Sequence, residues 1–139
     1  MLSLGFSSVP YSYLSALVTS TDTTLIESGL SLQLAANSVY DFRATVYSWA
    51  NGDGTKLRVS YTGGLVKDLF FTRTSAGSSE RYAVGDTITN LGVDQIFWFN
   101  GLLHTKSAGR LYIEFAKNTD TTDDTPLAAG SFLLAVRVS

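Results

Sequence analysis

Apolar and polar residues alternate along most of the chain. Leu30, Leu32 and Leu34 recur at every second position with Ser31 and Gln33 between them, the period of a strand with one buried face. Tyr40, Phe42, Ala44 and Val46 repeat the pattern against Asp41, Arg43 and Thr45. Leu57, Val59 and Tyr61 repeat it against Lys56, Arg58 and Ser60. Asn51-Gly52-Asp53-Gly54 lies between these last two rows and suits positive φ angles, so the pair reads as a hairpin. Tyr82, Val84, Ile88 and Leu91 belong to short pieces broken around Gly85-Asp86. Leu111, Ile113 and Phe115 alternate with Arg110, Tyr112 and Glu114, and the last strand sets Phe132, Leu134, Val136 and Val138 on one face. Thr24 and Glu27 stand at capping-box spacing and offer a helical turn, but the three alternating leucines that follow argue against a helix. About eight short strands between Gly, Ser and Asn turns predict an all-β fold, an antiparallel β-sandwich wound as a jelly roll.

Two segments depart from alternation. Leu65 to Thr72 contains Leu69-Phe70-Phe71, and Ile96 to Leu103 contains Phe97-Trp98-Phe99. Three bulky side chains in succession put apolar groups on both faces of a strand. A two-sheet sandwich has a single inner layer, so the second face needs a cover from outside, and a subunit interface supplies one. Residues 1–13 lack turn-bounded alternation and read either as a first edge strand or as an arm that docks on a neighbouring copy. Residues 14–139 form a single sandwich domain. The interface candidates are Phe6, Tyr11, Phe71, Phe97 and Phe99.

Composition narrows the function classes. Charged residues are 16% of the 139, against about 25% in an ordinary soluble domain. Hydroxyls replace them, with 17 serines and 16 threonines. A formal net charge of −2 gives no electrostatic case for nucleic acid. No apolar run approaches the ~20 residues of a membrane helix, and Met1 is followed by neither the basic nor the apolar stretch of a signal peptide. The absence of cysteine excludes disulfides, thiol nucleophiles and cysteine-bound metals. His104 is the only histidine, no serine occupies a Gly-x-Ser-x-Gly elbow, and Asp41, Asp68 and Glu114 read as outward positions on alternating strands. His104 is read as a strand-end surface residue. Asn118 to Thr125 holds three aspartates, yet it lacks the spacing of a calcium loop and reads as a solvated turn. Tyr47, Trp49 and Phe97 to Phe99 would suit a sugar-stacking platform, but in a chain with few charges the stronger reading is the filling between two sheets. No catalytic residue, metal ligand or cofactor site is expected.

Ala35-Ala36-Asn37-Ser38-Val39-Tyr40-Asp41-Phe42-Arg43, preceded by the hydroxyl-rich Val18 to Leu25, resembles a signature of small virion proteins of tailed bacteriophages. Ala108-Gly109 with the strand to Asn118-Thr119 is similar to the family's next block, which continues through Thr125-Pro126-Leu127 and Ala129-Gly130-Ser131-Phe132-Leu133. The resemblance spans residues 18–139, is weakest over 63–95, and departs at Lys117, where a glutamine is common. It implies a non-enzymatic capsid decoration or cement protein with a jelly-roll-like sandwich, located in the virion and assembled in the host cytoplasm. Its implied partners are further copies of itself, as a trimer, and the major capsid protein. A tail- or fibre-associated domain that binds a receptor or carbohydrate is the alternative within the same class.

Overall fold

The two faces of each strand are decided by which side finds the other sheet. The computed structural model describes residues 10–48, 54–74, 79–89, 95–119 and 124–139, and every regular element in them is a strand. In chain order these are β1 (Tyr11–Tyr13), β2 (Val18–Ser20), β3 (Ile26–Leu34), β4 (Val39–Ser48), β5 (Thr55–Tyr61) and β6 (Leu65–Thr74). They continue as β7 (Ser79–Tyr82), β8 (Thr87–Ile88), β9 (Gln95–Thr105), β10 (Gly109–Lys117), β11 (Thr125–Leu127) and β12 (Phe132–Arg137). The large sheet runs β1-β12-β4-β9-β6-β7, with β11 against β4 and β2 beyond it, and the small sheet runs β3-β10-β5-β8. All pairings are antiparallel. The protein is therefore an all-β antiparallel sandwich.

From β3 to β10 the chain passes back and forth between the sheets, and the strands pair from the outside inward. β3 pairs β10, β4 pairs β9, β5 pairs β8 and β6 pairs β7. The strands beyond those eight, β1, β2, β11 and β12, all join the margin of the large sheet. That addition is why twelve strands are found among the described residues where the turn spacing predicts about eight.

Between the sheets, Leu30, Leu32, Leu34, Leu57, Val59, Leu111, Ile113 and Phe115 of the small sheet meet Phe42, Val46, Phe70, Phe97, Phe99, Leu103 and Leu133 of the large one. Each such side chain contributes about 1.5–3 kcal/mol by leaving water. Leucines 30, 32 and 34 belong to β3, which starts at Ile26, so no helical turn forms. Asp22, not Thr24, does the local work there: its Oδ1 accepts the Thr24 N–H at 2.7 Å, an Asx turn ahead of the strand. In β12 the row seen in the sequence, Phe132, Leu134 and Val136, lies on the outer side. Leu133 and Ala135 face the core because register sets them opposite Ala44 and Phe42.

Phe97 and Phe99 are corrected by the structure. They are 0% and 2% exposed inside the chain's own core, which leaves no surface of either for a neighbour. Gly101, two residues on, explains the local demand for large rings. It stands in register between Phe42 of β4 and Phe70 of β6. With no side chain between them, those rings meet edge to face at 5.8 Å, and Phe70 meets Phe99 in the same way at 5.9 Å. A Cβ on Gly101 would collide with Phe70 and with the Leu69 carbonyl. Gly101→Ala is therefore expected to lower stability by about 1–3 kcal/mol, read as a fall in thermal midpoint. A midpoint equal to wild type would show that the rings do not need that gap.

Candidate functional site

The outward side of the large sheet carries the residues left over when its inward side is filled. Register aligns them in rows across the strands. Val136, Asp41, Leu102 and Leu69 form one row over β12, β4, β9 and β6. Tyr11, Leu134, Arg43 and Asn100 form the next, and Tyr13, Phe132, Thr45 and Trp98 the one after. Leu102 is 55% exposed and Leu69 42%. Tyr11 and Tyr13 are 67% and 59% exposed and their rings stack, with centroids 6.2 Å apart. Tyr47 and Val136 are also exposed. Large exposed apolar patches are uncommon on solitary soluble proteins and are typical of contact surfaces in general.

Leu69 and Leu102 face each other across β6 and β9, and open grooves flank them. One, of about 450 Å³, is lined by Val39, Lys67, Asp68, Leu69, Leu102 and His104. The other, of about 340 Å³, is lined by Asp41, Asn100, Gly101 and the same two leucines. His104 is the penultimate residue of β9, partly buried, opposite Val39 and Lys67. Asp68 departs from the outward reading. It pairs in register with the buried Leu103 and accepts the Val84 N–H, so it stands on the inner side of β6.

The small sheet turns a chemically opposite surface outward. Arg58 on β5 grips Glu114 on β10 with two hydrogen bonds, Nε to Oε1 at 2.9 Å and Nη2 to Oε2 at 3.0 Å. The Ser60 hydroxyl donates to the same Oε1 at 2.8 Å. Arg110 pairs with Glu27 and lies 4.3 Å over the Tyr112 ring. Burial pushes the Glu114 carboxyl upward, but the Arg58 and Ser60 hydrogen bonds and the nearby Arg58 and Arg110 charges outweigh it, so its pKa lies below the usual value. The Glu114 bond in turn raises the Arg58 guanidinium.

Of the interface residues expected from sequence, Tyr11 lies on this outer face, at its β1 edge. Phe97 and Phe99 lie beneath it in the core. Phe71 sits in β6 opposite Asn100, and its side chain is outside the described residues, as are Phe6 and Trp49. Much of the Asn118 to Thr125 turn, residues 120–123, is likewise outside them. Among the described residues no three His, Asp or Glu side chains gather in a group able to hold a metal ion, and no helix is long and apolar enough to cross a membrane. Leu69, Leu102 and Asp41 were missed as surface residues of interest. The signal for the leucines was present, since both sit in the dense runs whose second face needed a cover. No protein-family model matches the chain, and no curated protein matches it.

A depressed carboxyl stabilises the fold above its unfolded pKa, and that stability is lost as pH falls through the folded value. Glu114 should therefore add to acid sensitivity below about pH 4.5, its ordinary value. Glu114→Gln is expected to lower stability at neutral pH by roughly 1–3 kcal/mol and to flatten the loss on acidification. Parallel curves for variant and wild type from pH 7 to pH 3 would remove Glu114 from the account.

Proposed function

We propose that the protein is a non-enzymatic structural component of a virus particle, a capsid decoration or cement protein of the tailed-phage type. It holds its place by burying the outer face of its large sheet. The observation that carries this reading is the contrast between the two outer faces: charges pair with charges on the small sheet, while Leu69, Leu102, Val136, Tyr11 and Tyr13 stand uncovered on the large one. Interfaces that form permanently are more apolar than ordinary surface.

One further feature supports it. Numbering β3 to β10 from one to eight, the small sheet reads first, eighth, third, sixth and the large sheet second, seventh, fourth, fifth. This is the order that a long antiparallel hairpin acquires when it winds into a jelly roll, an architecture common in viral capsid and lectin domains. Fold alone does not assign a role, so the weight falls on the apolar face and on the resemblance over residues 18–139. In this reading the partners are further copies of the chain, a trimer by the resemblance, and the major capsid protein. The protein resides in the virion after assembly in the host cytoplasm. Many copies on one particle turn modest contacts into firm attachment through effective concentration.

The stacked Tyr11 and Tyr13 rings favour one second reading, a tail- or fibre-associated domain that binds carbohydrate. Glycan-array binding lost on Tyr11→Ala with Tyr13→Ala would support it over the first.

Leu69→Asp with Leu102→Asp is expected to abolish self-association and retention on capsid shells while moving the melting midpoint of the separate chain by no more than a few degrees. Light scattering and co-sedimentation with shells check both parts. Undiminished association and retention would overturn the reading.

A further inference from the structure

We propose that residues 1–9 lie as a strap across the outer face of the large sheet of their own chain, covering Leu102 and Leu69. The proposal concerns the separate chain, so it does not rest on the particle reading. It names what shields the face until a partner takes the strap's place.

The strap's starting point is set by β1. The Ala135 N–H donates to the Pro10 carbonyl at 3.0 Å, and Tyr11 pairs with Leu134. Pro10 thus stands one step short of Val136, which heads the row Val136, Asp41, Leu102 and Leu69. Proline has no N–H to return to β12, so the ladder that ties β1 to the sheet is incomplete at this point. β12 itself ends at Arg137. A straight continuation beside it would pair only Ser8 and Val9 and leave Leu2, Leu4 and Phe6 with no strand to lie against.

Turning across the face gives those side chains a place. Leu2, Leu4 and Phe6 stand at alternate positions with Ser3 and Gly5 between them, so an extended segment has one apolar side. The two grooves that flank Leu69 and Leu102 are each lined from β4, β9 and β6, and so run across the strands instead of along them. A chain laid at right angles to the strands follows that direction, whereas an added edge strand does not. The lengths agree as well. Leu102 on β9 is three strand spacings from β1 and Leu69 on β6 is four, ~14 and ~19 Å at ~4.8 Å each. Extended chain advances ~3.3 Å per residue, which carries Phe6 to ~13 Å from Pro10 and Leu4 to ~20 Å. Phe6 therefore falls on Leu102 and Leu4 on Leu69, with Leu2 beyond them. Lying over side chains, the strap keeps its backbone open to water, so no polar group is stranded.

The chain holds no cysteine, so an introduced pair reports contact without background. In the full chain, Phe6→Cys is combined either with Leu102→Cys on the face or with Gln33→Cys, exposed on β3. β3 adjoins β1 through the Ser12 hydroxyl, which bonds Gly29 and Ser31, so a loose segment would reach it as readily. Oxidation is followed on non-reducing gels at low protein concentration, with circular dichroism melting as the control for folding. The disulfide to position 102 is expected within one chain and about tenfold faster than that to position 33. Equal rates, or a disulfide formed mainly between chains, would overturn the proposal. Should Leu102→Cys fail to fold, Leu4→Asp with Phe6→Asp decides with the sandwich untouched. Its binding of an anilinonaphthalene sulfonate dye is expected to rise about threefold over wild type as the leucines are bared, and unchanged binding overturns the proposal. Neither readout involves capsid shells, so retention on shells tests the particle reading separately.

Discussion

Two sheets enclose one apolar layer, so every strand has one side the fold covers and one it does not. The two sheets meet this constraint in opposite ways. On the small sheet the uncovered side is given to Arg58, Glu114, Ser60, Arg110 and Glu27, which satisfy one another by hydrogen bonds and ion pairs, with Glu114 buried beneath its partners. On the large sheet the uncovered side holds leucines, valine and tyrosines around one carboxylate whose Oδ1 no donor reaches. The core explains the first sheet completely. It accounts for only half of the second, and the structural part of the proposed function descends from that remainder.

Alternation revealed the inward side wherever polar residues marked the outward one. In β3, β4 and β5 the residues expected to be buried, from Leu30 to Val59, are the ones that are. It failed where both sides are apolar, because parity alone then has two equivalent answers. In β9 the dense run makes Phe97 and Phe99 interface candidates, whereas both lie on the inner side, where Gly101 leaves a gap beside the rings. In β12 the bulkier row lies outward and Leu133 and Ala135 lie inward, a choice made by register against β4 that no local pattern contains. Nor does sequence contain the state of Asp41. Its alternation marks it correctly as outward, but no local pattern shows that its Oδ1 is out of solvent.

The exact strand order, as distinct from the expected class of winding, was out of reach for a related reason. The strands that define it, β3 with β10 and β4 with β9, pair over long stretches of the chain, and a contact such as the Ser28 hydroxyl to the Ile113 carbonyl spans 85 residues. Turn signals fix neighbours in sequence, and such pairings are not neighbours. They are selected by the collective fit of the buried layer, in which a one-residue slip would turn every apolar side chain outward.

The low charge of the chain bears on how copies can be crowded together. Were the large face covered in an assembly, the small sheet would be among the surfaces left for solvent and for lateral neighbours. Its two arginines are held by glutamates, so adjacent copies would meet locally neutralised surface instead of like charges. At physiological ionic strength the remaining fields fade within about 8 Å. With a net charge of −2 over the whole chain, little long-range repulsion opposes dense packing, and the attractive term needs only the apolar face. The exposed Arg110–Glu27 pair is a modest contributor to folding, and on the proposed reading the larger effect of both pairs would be to keep this side of the molecule inert while the other is covered.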